Sequence, residues 1–201
     1  MLFRVLRLTI LAGAICGTSP AGIIYTETIN GDVSNSGLNP TVVTVALGSN
    51  SLFGTTGNPG TGIDCDYLTL TVPNGLMLSS ITVLPETFSG GGLSFLGIEA
   101  GPQITLPANT QTAAGLLGWW HYSPTDIGHD ILELAGIPAS GSSGFTGPLG
   151  PGSYSFWIQD FNAGSFAYGF DFQIDPVPEP ATWCAALLGS AVLLRRRRVR
   201  R

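Results

Sequence analysis

The sequence predicts an all-β protein, an antiparallel β-sandwich of jelly-roll-like type, and three observations support this fold class. Several short segments alternate apolar and polar residues with the period of a β-strand. The chain contains 28 glycines and 14 prolines, which disfavour long helices and favour turns. Turn clusters, such as Asn-Pro-Gly at 58–60 and Pro-Asn-Gly at 73–75, separate the segments. Strands of this number and spacing are typical of sandwiches.

The predicted strands are the segments in which alternate residues are apolar. In residues 67–72, Leu68, Leu70 and Val72 share one face and threonines occupy the other, which predicts a sheet with one buried and one solvated face. By the same criterion, strands are predicted at residues 23–29, 41–47, 67–72, 80–84, 94–98, 153–161 and 168–174. Residues 111–122 fit either a short helix or a broad strand, and residues 140–152, rich in Gly and Ser, form a loop.

The charges are strongly segregated along the chain. All eight basic residues are arginines near the two ends, and the thirteen carboxylates lie in the arginine-free stretch between them. A body without cations cannot neutralise phosphates, which excludes nucleic-acid binding. It also has no P-loop lysine for a nucleotide.

The N-terminal residues have the three-part layout of a secretory signal peptide. Arg4 and Arg7 precede an apolar run at 8–15, and small residues follow at 17–21. We expect cleavage after Ala21, with cleavage nearer Cys16 as the alternative. This assigns residues 1–21 to the signal peptide and residues 22–176 to one sandwich domain.

The C-terminal residues 177–201 combine three features in order. The tetrapeptide Val177, Pro178, Glu179 and Pro180 forms an extended, accessible segment. An apolar run at 181–194 predicts a short transmembrane helix, below the about 20 residues that span a bilayer comfortably. A basic cluster that resists translocation closes the chain and consists of Arg195, Arg196, Arg197, Arg198, Arg200 and Arg201.

This tail resembles the PEP-CTERM sorting signal of bacterial exported proteins, which exosortase, a membrane-embedded cysteine transpeptidase, recognises. The resemblance covers about 25 residues and depends on Pro178, Glu179 and Pro180, the apolar run and the arginines. It implies export through the secretory translocon, a membrane-anchored precursor, processing near the Pro-Glu-Pro, and delivery to the cell surface or extracellular matrix. The predicted partners are therefore the translocon, an exosortase-type transpeptidase and the membrane.

The body loosely resembles bacterial pre-peptidase C-terminal domains through two short motifs. Residues 150–159 contain a Pro-Gly turn before a strand, and residues 64–67 read Asp-Cys-Asp-Tyr ahead of another. The resemblance implies a β-sandwich accessory domain of an exported protein, in some cases calcium-binding or substrate-attaching.

One cysteine, Cys65, remains in the predicted mature body, so an internal disulfide is excluded there. Its two interpretations are a buried small hydrophobe, which we favour, and an intermolecular linker.

Calcium is the predicted cofactor, if the body has one. Asp64 and Asp66 bracket one residue just before a strand, so their carboxylates could converge on one ion. Asp126 and Asp130 form a second candidate pair. Solvated turn aspartates are the alternative interpretation.

Aromatic residues raise a carbohydrate hypothesis. Trp119 and Trp120 are adjacent, so in a strand their rings point to opposite faces and one could stack on a sugar. Extracellular polysaccharide is the corresponding candidate partner.

The prediction for activity is a non-enzymatic protein. His121 and His129 are the only imidazoles, and neither belongs to a recognisable nucleophile motif. We therefore expect an exported surface or matrix protein, sorted through its tail. The alternatives are a carbohydrate- or calcium-binding module and, third, a secreted hydrolase.

Overall fold

The computed structural model describes residues 22–178, apart from residues 109 and 111. The described chain is mostly β. Its nine strands are β1 (Gly22–Thr26), β2 (Thr41–Val43), β3 (Asn50–Asn58), β4 (Cys65–Val72), β5 (Leu76–Val83), β6 (Ser94–Ala100), β7 (Gly118–Tyr122), β8 (Gly152–Gln159) and β9 (Gly164–Pro176). Two short helices, α1 (Glu27–Asn30) and α2 (Leu132–Ala135), and two 3₁₀ turns accompany them.

The strands form two sheets, ordered β1-β3-β9-β5 and β2-β4-β8-β6-β7. The prediction of a purely antiparallel sandwich is wrong at two edges, because β1 pairs with β3 and β2 pairs with β4 in parallel. In each case the intervening chain contributes to the other sheet before it returns. Parallel neighbours need such a crossover, whereas antiparallel neighbours need only a turn. Both sheets are therefore mixed, with antiparallel interiors.

The main core lies between the two sheets and consists of their inward-facing residues. Phe156 of β8 and Phe172 of β9 meet edge to face, with ring centroids 5.2 Å apart. The alternation predicted for β4 is confirmed on this side, where Leu68, Leu70 and Val72 are buried in the core.

Part of the outer face of the second sheet is also covered, which the sequence pattern did not indicate. Ile104, Ala113 and Leu116, which come from the chain between β6 and β7, pack on Tyr67 and Trp157 in a second, smaller cluster. Both faces of β4 are therefore buried over most of its length.

The structure revises the predicted first strand, resolves the ambiguous segment and agrees with the predicted loop. The predicted first strand at 23–29 ends at Thr26 and continues as α1. The ambiguous segment 111–122 ends in a strand, β7, and the predicted loop 140–152 has no helix or strand before Gly152. Strand β3 was not predicted, because Gly54 and Gly57 interrupt its apolar alternation.

The first and last strands bring the two ends of the described chain together. Gly22 donates its N–H to the carbonyl of Ser49 (3.1 Å), and Val177 donates to the carbonyl of Gly75 (2.9 Å). Strand β1 runs parallel to β3, and β9 runs antiparallel to β3. The start of β1 and the end of β9 therefore lie at the same end of the sandwich. We call this the terminus end of the sandwich.

Phe172→Ala tests the importance of the core between the sheets. The Phe172 ring is fully buried, so its loss should lower the free energy of unfolding by about 3–5 kcal/mol in urea titrations. Phe161→Ala is the control, because Phe161 is exposed and its loss should change stability by less than about 0.5 kcal/mol. Equal losses in the two variants would contradict this assignment of the core.

Candidate functional site

Asp66 is a carboxylate on the core side of β4. It is the second residue of the strand, in phase with Leu68 and Leu70, and it is 0% exposed. A buried carboxylate is costly unless hydrogen bonds or an opposite charge compensate it. The groups that contact Asp66 therefore determine which chemistry is possible at this position.

The hydroxyl of Tyr168 reaches Asp66 from the opposite sheet. It donates to Oδ2 of Asp66 at 2.6 Å, and it is the only hydrogen-bond donor to that carboxylate within residues 22–178. The other oxygen, Oδ1, is buried without a hydrogen-bond partner. Gly54 makes room for the contact, because a Cβ there would collide with the Tyr168 hydroxyl.

Two further carboxylates lie beside Asp66. Glu27 begins α1, Asp32 follows that helix, and one carboxylate oxygen from each of the three residues lies within 4.8 Å of the other two. The backbone N–H and hydroxyl of Thr55 donate to Oε2 of Glu27 at 2.8 and 2.9 Å, and the N–H of Val33 donates to Oε1 at 3.3 Å. Glu27 is thus held in place. We call Glu27, Asp32 and Asp66 the acidic cluster.

The loop that carries Asp32 is anchored by Tyr25. The Tyr25 hydroxyl donates to the carbonyl of Gly31 at 2.8 Å. Gly31 has φ of 90°, a conformation that glycine adopts readily and other residues rarely do. Asp32 itself is exposed, so the acidic cluster opens to solvent on its side.

The electrostatics of the cluster follow from burial and like charge. The pKa of Asp66 is raised to about 9, mainly by burial. The hydrogen bond from Tyr168 lowers this pKa, and the neighbouring charges of Glu27, Asp64 and Asp32 raise it. Burial also raises the pKa of Glu27. Chemically, the cluster can hold a proton or offer oxygen ligands to a cation.

The calcium candidates from the sequence are distributed differently in the structure. Asp66 belongs to the acidic cluster, whereas Asp64 accepts a hydrogen bond from Nδ2 of Asn35 at 3.2 Å and is not one of the three clustered carboxylates. Asp126 accepts from the N–H of Ser123, and Asp130 accepts from two backbone N–H groups. Asp126 and Asp130 therefore stabilise turns and helix starts.

The adjacent tryptophans point to opposite sides of β7, as predicted. Trp119 is half-buried on the outer face, where it stacks on Phe95 with centroids 6.0 Å apart and donates from Nε1 to the carbonyl of Ala139 at 3.1 Å. Trp120 packs against the core between the sheets, and its Nε1 is buried without a partner. Both residues are partly buried, and Trp119 is the one that lies on the outer face.

The remaining candidates lie apart from the acidic cluster. His121 packs edge-on against Phe95 and Trp119, and burial lowers its pKa. His129 is exposed in the turn before α2. Cys65 is buried, which fits the small-hydrophobe interpretation, and burial raises its pKa to about 11.

The tail lies mostly outside the described residues. Val177 and Pro178 are exposed, while Glu179, Pro180 and the arginine cluster fall beyond the described chain. No helix within residues 22–178 is long and apolar enough to cross a membrane.

Sequence reasoning missed Glu27, Asp32 and Tyr168 as members of the site. The available signal was Asp66 itself, a carboxylate in phase with the buried leucines of its strand. Its neighbours come from segments 34 to 102 residues away and carry no local motif.

Comparisons of the chain with family models, curated proteins and solved structures gave no match.

The raised pKa of Asp66 predicts that stability falls with rising pH in metal-free buffer. The folded state retains a proton that the unfolded state, with the ordinary value of 3.8, releases. The contribution is therefore complete below about pH 4 and is lost as the pH rises toward 9. Thermal melts in chelator should show a lower Tm at pH 8 than at pH 5.5.

Two variants sharpen this measurement. Asp66→Asn should lose much of the decline, because the amide stays neutral and still accepts from Tyr168. Glu133→Gln, an exposed position on α2, controls for the loss of one negative charge and should follow the wild type. A decline that persists unchanged in Asp66→Asn would contradict the assignment.

Proposed function

We propose that the chain is an exported, non-enzymatic surface or matrix protein that is sorted by its C-terminal tail. The observation that carries the proposal is the order of Val177, Pro178, Glu179 and Pro180, an apolar run and six terminal arginines, opposite a signal-peptide pattern at the other end. An exosortase-type transpeptidase is the proposed processing partner. The precursor is anchored in the membrane before the product reaches the surface or matrix.

The geometry of the sandwich is consistent with this route. The residues that follow the proposed cleavage after Ala21 belong to the sandwich, because Gly22–Thr26 forms β1. Gly22 and Val177 both lie at the terminus end, so an anchored precursor would hold this end toward the membrane. Loops 59–64, 84–93 and 160–163 lie at the opposite end. The two-sheet core supports the proposed jelly-roll-like sandwich, with parallel edge strands as its departure.

A carbohydrate-binding function is the second candidate, and the position of Trp119 favours it. Its half-buried ring, with Phe95 and the exposed His121 beside it, forms a partly accessible aromatic surface on the outer face of the second sheet. Flat apolar rings of this kind can stack on sugar faces. A secreted hydrolase remains the third candidate.

Substitutions in the tail test the sorting proposal. Glu179→Ala and Pro178→Leu change the segment offered to the transpeptidase but leave the apolar length and the arginines intact. Precursor should therefore accumulate in the membrane of a host with an exosortase, detected by immunoblot and by mass spectrometry of arginine-containing peptides. Replacing the six arginines with serine should instead release or misorient the chain.

The same variants in a host without an exosortase provide the control, where wild type and variants should all remain unprocessed. Wild-type processing and release of both the Glu179 and Pro178 variants would exclude the sorting proposal and favour a plain tail anchor.

Trp119→Ala tests the carbohydrate proposal. Retardation in gels that contain polysaccharide should disappear in this variant, while Trp119→Phe should keep part of it because a flat ring remains. Trp120→Ala should mainly lower thermal stability, since that ring packs on the core. Unchanged retardation of Trp119→Ala would exclude this surface as the binding site.

A further inference from the structure

We propose that Glu27, Asp32 and Asp66 together bind one divalent cation of the size of calcium. Two observations point to a ligand. The three carboxylates converge, with one oxygen of each within 4.8 Å of the other two. Asp66, which is directed into this group, is fully buried and its Oδ1 has no hydrogen-bond donor. The site retains Asp66 from the sequence prediction and replaces Asp64 with two carboxylates from a distant segment.

The spacing fits a single ion. Calcium binds oxygen ligands at about 2.3–2.6 Å, so two oxygens on opposite sides of one ion are up to about 5 Å apart. The oxygens of the acidic cluster lie within that span. Calcium takes about six to eight oxygens, and the exposed side of Asp32 leaves room for water to complete the shell.

The negative charge of the three carboxylates also favours the binding of an external cation. Every Lys and Arg position of the chain lies outside residues 22–178, so no such side chain of the described region offsets the three carboxylates. Glu27 has three hydrogen-bond donors, while Asp66 has one, the Tyr168 hydroxyl. Paired carboxylates without a counter-charge repel each other, and a bound divalent ion removes that repulsion.

The ligand type selects among metals. The cluster offers only carboxylate oxygens, which suit calcium, magnesium and manganese rather than zinc, for which His and Cys are the usual ligands. Magnesium requires a tight octahedron at about 2.0–2.1 Å and gives up water reluctantly. Ligands from a helix start, a surface loop and a sheet favour the larger, more tolerant ion.

The ion would add to the links between the N-terminal segment and the second sheet, where the N–H of Tyr67 already donates to the carbonyl of Ser34 at 2.9 Å. Glu27 and Asp32 follow β1, an edge strand of five residues whose sole strand partner among the described residues is β3 of the first sheet. Asp66 belongs to β4 of the second sheet. A shared cation therefore ties the N-terminal segment across the open edge of the sandwich, so calcium should slow proteolysis of residues 22–34.

A calcium titration of the full chain tests the proposal. Calcium chloride should raise the Tm above that in chelator by about 5 °C or more once calcium exceeds Kd about a hundredfold. Sites in extracellular modules have Kd of about 10⁻⁴–10⁻³ M, so the titration should extend to about 100 mM. Isothermal calorimetry in the buffer used for the melts should give one calcium ion per chain. Magnesium chloride should give a smaller shift in Tm than calcium chloride.

Three variants locate the ion. Asp66→Asn keeps an acceptor for Tyr168 but loses a ligand charge, so its Tm should no longer respond to calcium. Asp32→Asn, at an exposed position that leaves the core intact, should raise Kd about tenfold or more. Asp64→Asn is the matched control, a neighbouring carboxylate outside the cluster, and should respond like the wild type.

The outcomes decide the proposal separately from the sorting function, because the titration needs no processing of the tail. Loss of the calcium response in Asp66→Asn and its weakening in Asp32→Asn, with retention in Asp64→Asn, would support the site. A wild-type Tm that calcium does not change would overturn it. A full calcium response of the Tm in both Asp66→Asn and Asp32→Asn would also overturn it. So would loss of the calcium response in Asp64→Asn alone.

Discussion

The structure depends on how the body, which has no Lys or Arg, offsets the cost of burying its carboxylates. Asp160 accepts hydrogen bonds from the N–H of Gly90 at 2.8 Å and the hydroxyl of Ser94 at 2.9 Å. Glu99 accepts from the N–H and hydroxyl of Thr105. Backbone and hydroxyl donors thus replace the ion pairs that most proteins also use. Within residues 22–178, Asp66 is the buried carboxylate left with an unpartnered oxygen, and a proton or a cation would complete its environment.

This constraint connects the fold to the environment in which the protein is proposed to act. At neutral pH in metal-free solution, Asp66 keeps a proton and the N-terminal segment is held by the hydrogen bonds of Glu27 and by β1. With calcium present, the ion would replace the proton and join both sheets. An exported protein meets calcium outside the cell, so the completed site would form where the protein is delivered.

The sequence predicted the all-β content and the alternation of β4 because both depend on local periodicity. The sequence did not predict the features that depend on pairing between residues far apart in the chain. The parallel edges arise from crossovers between sheets, and β3 was missed because Gly54, which admits the Tyr168 hydroxyl, breaks its pattern. Asp66 was recognised as a candidate, but Glu27 and Asp32 were not, since they reach it through long-range pairing, of β1 with β3 and of Ser34 with Tyr67.

A crystal structure of the protein grown with calcium, with an anomalous difference map, tests the central claim most directly. We expect one calcium peak among the carboxylates of Glu27, Asp32 and Asp66, at oxygen distances of about 2.3–2.6 Å, with Tyr168 still donating to Asp66. A map without a peak at this position, or with the ion bound at Asp64 instead, would contradict it.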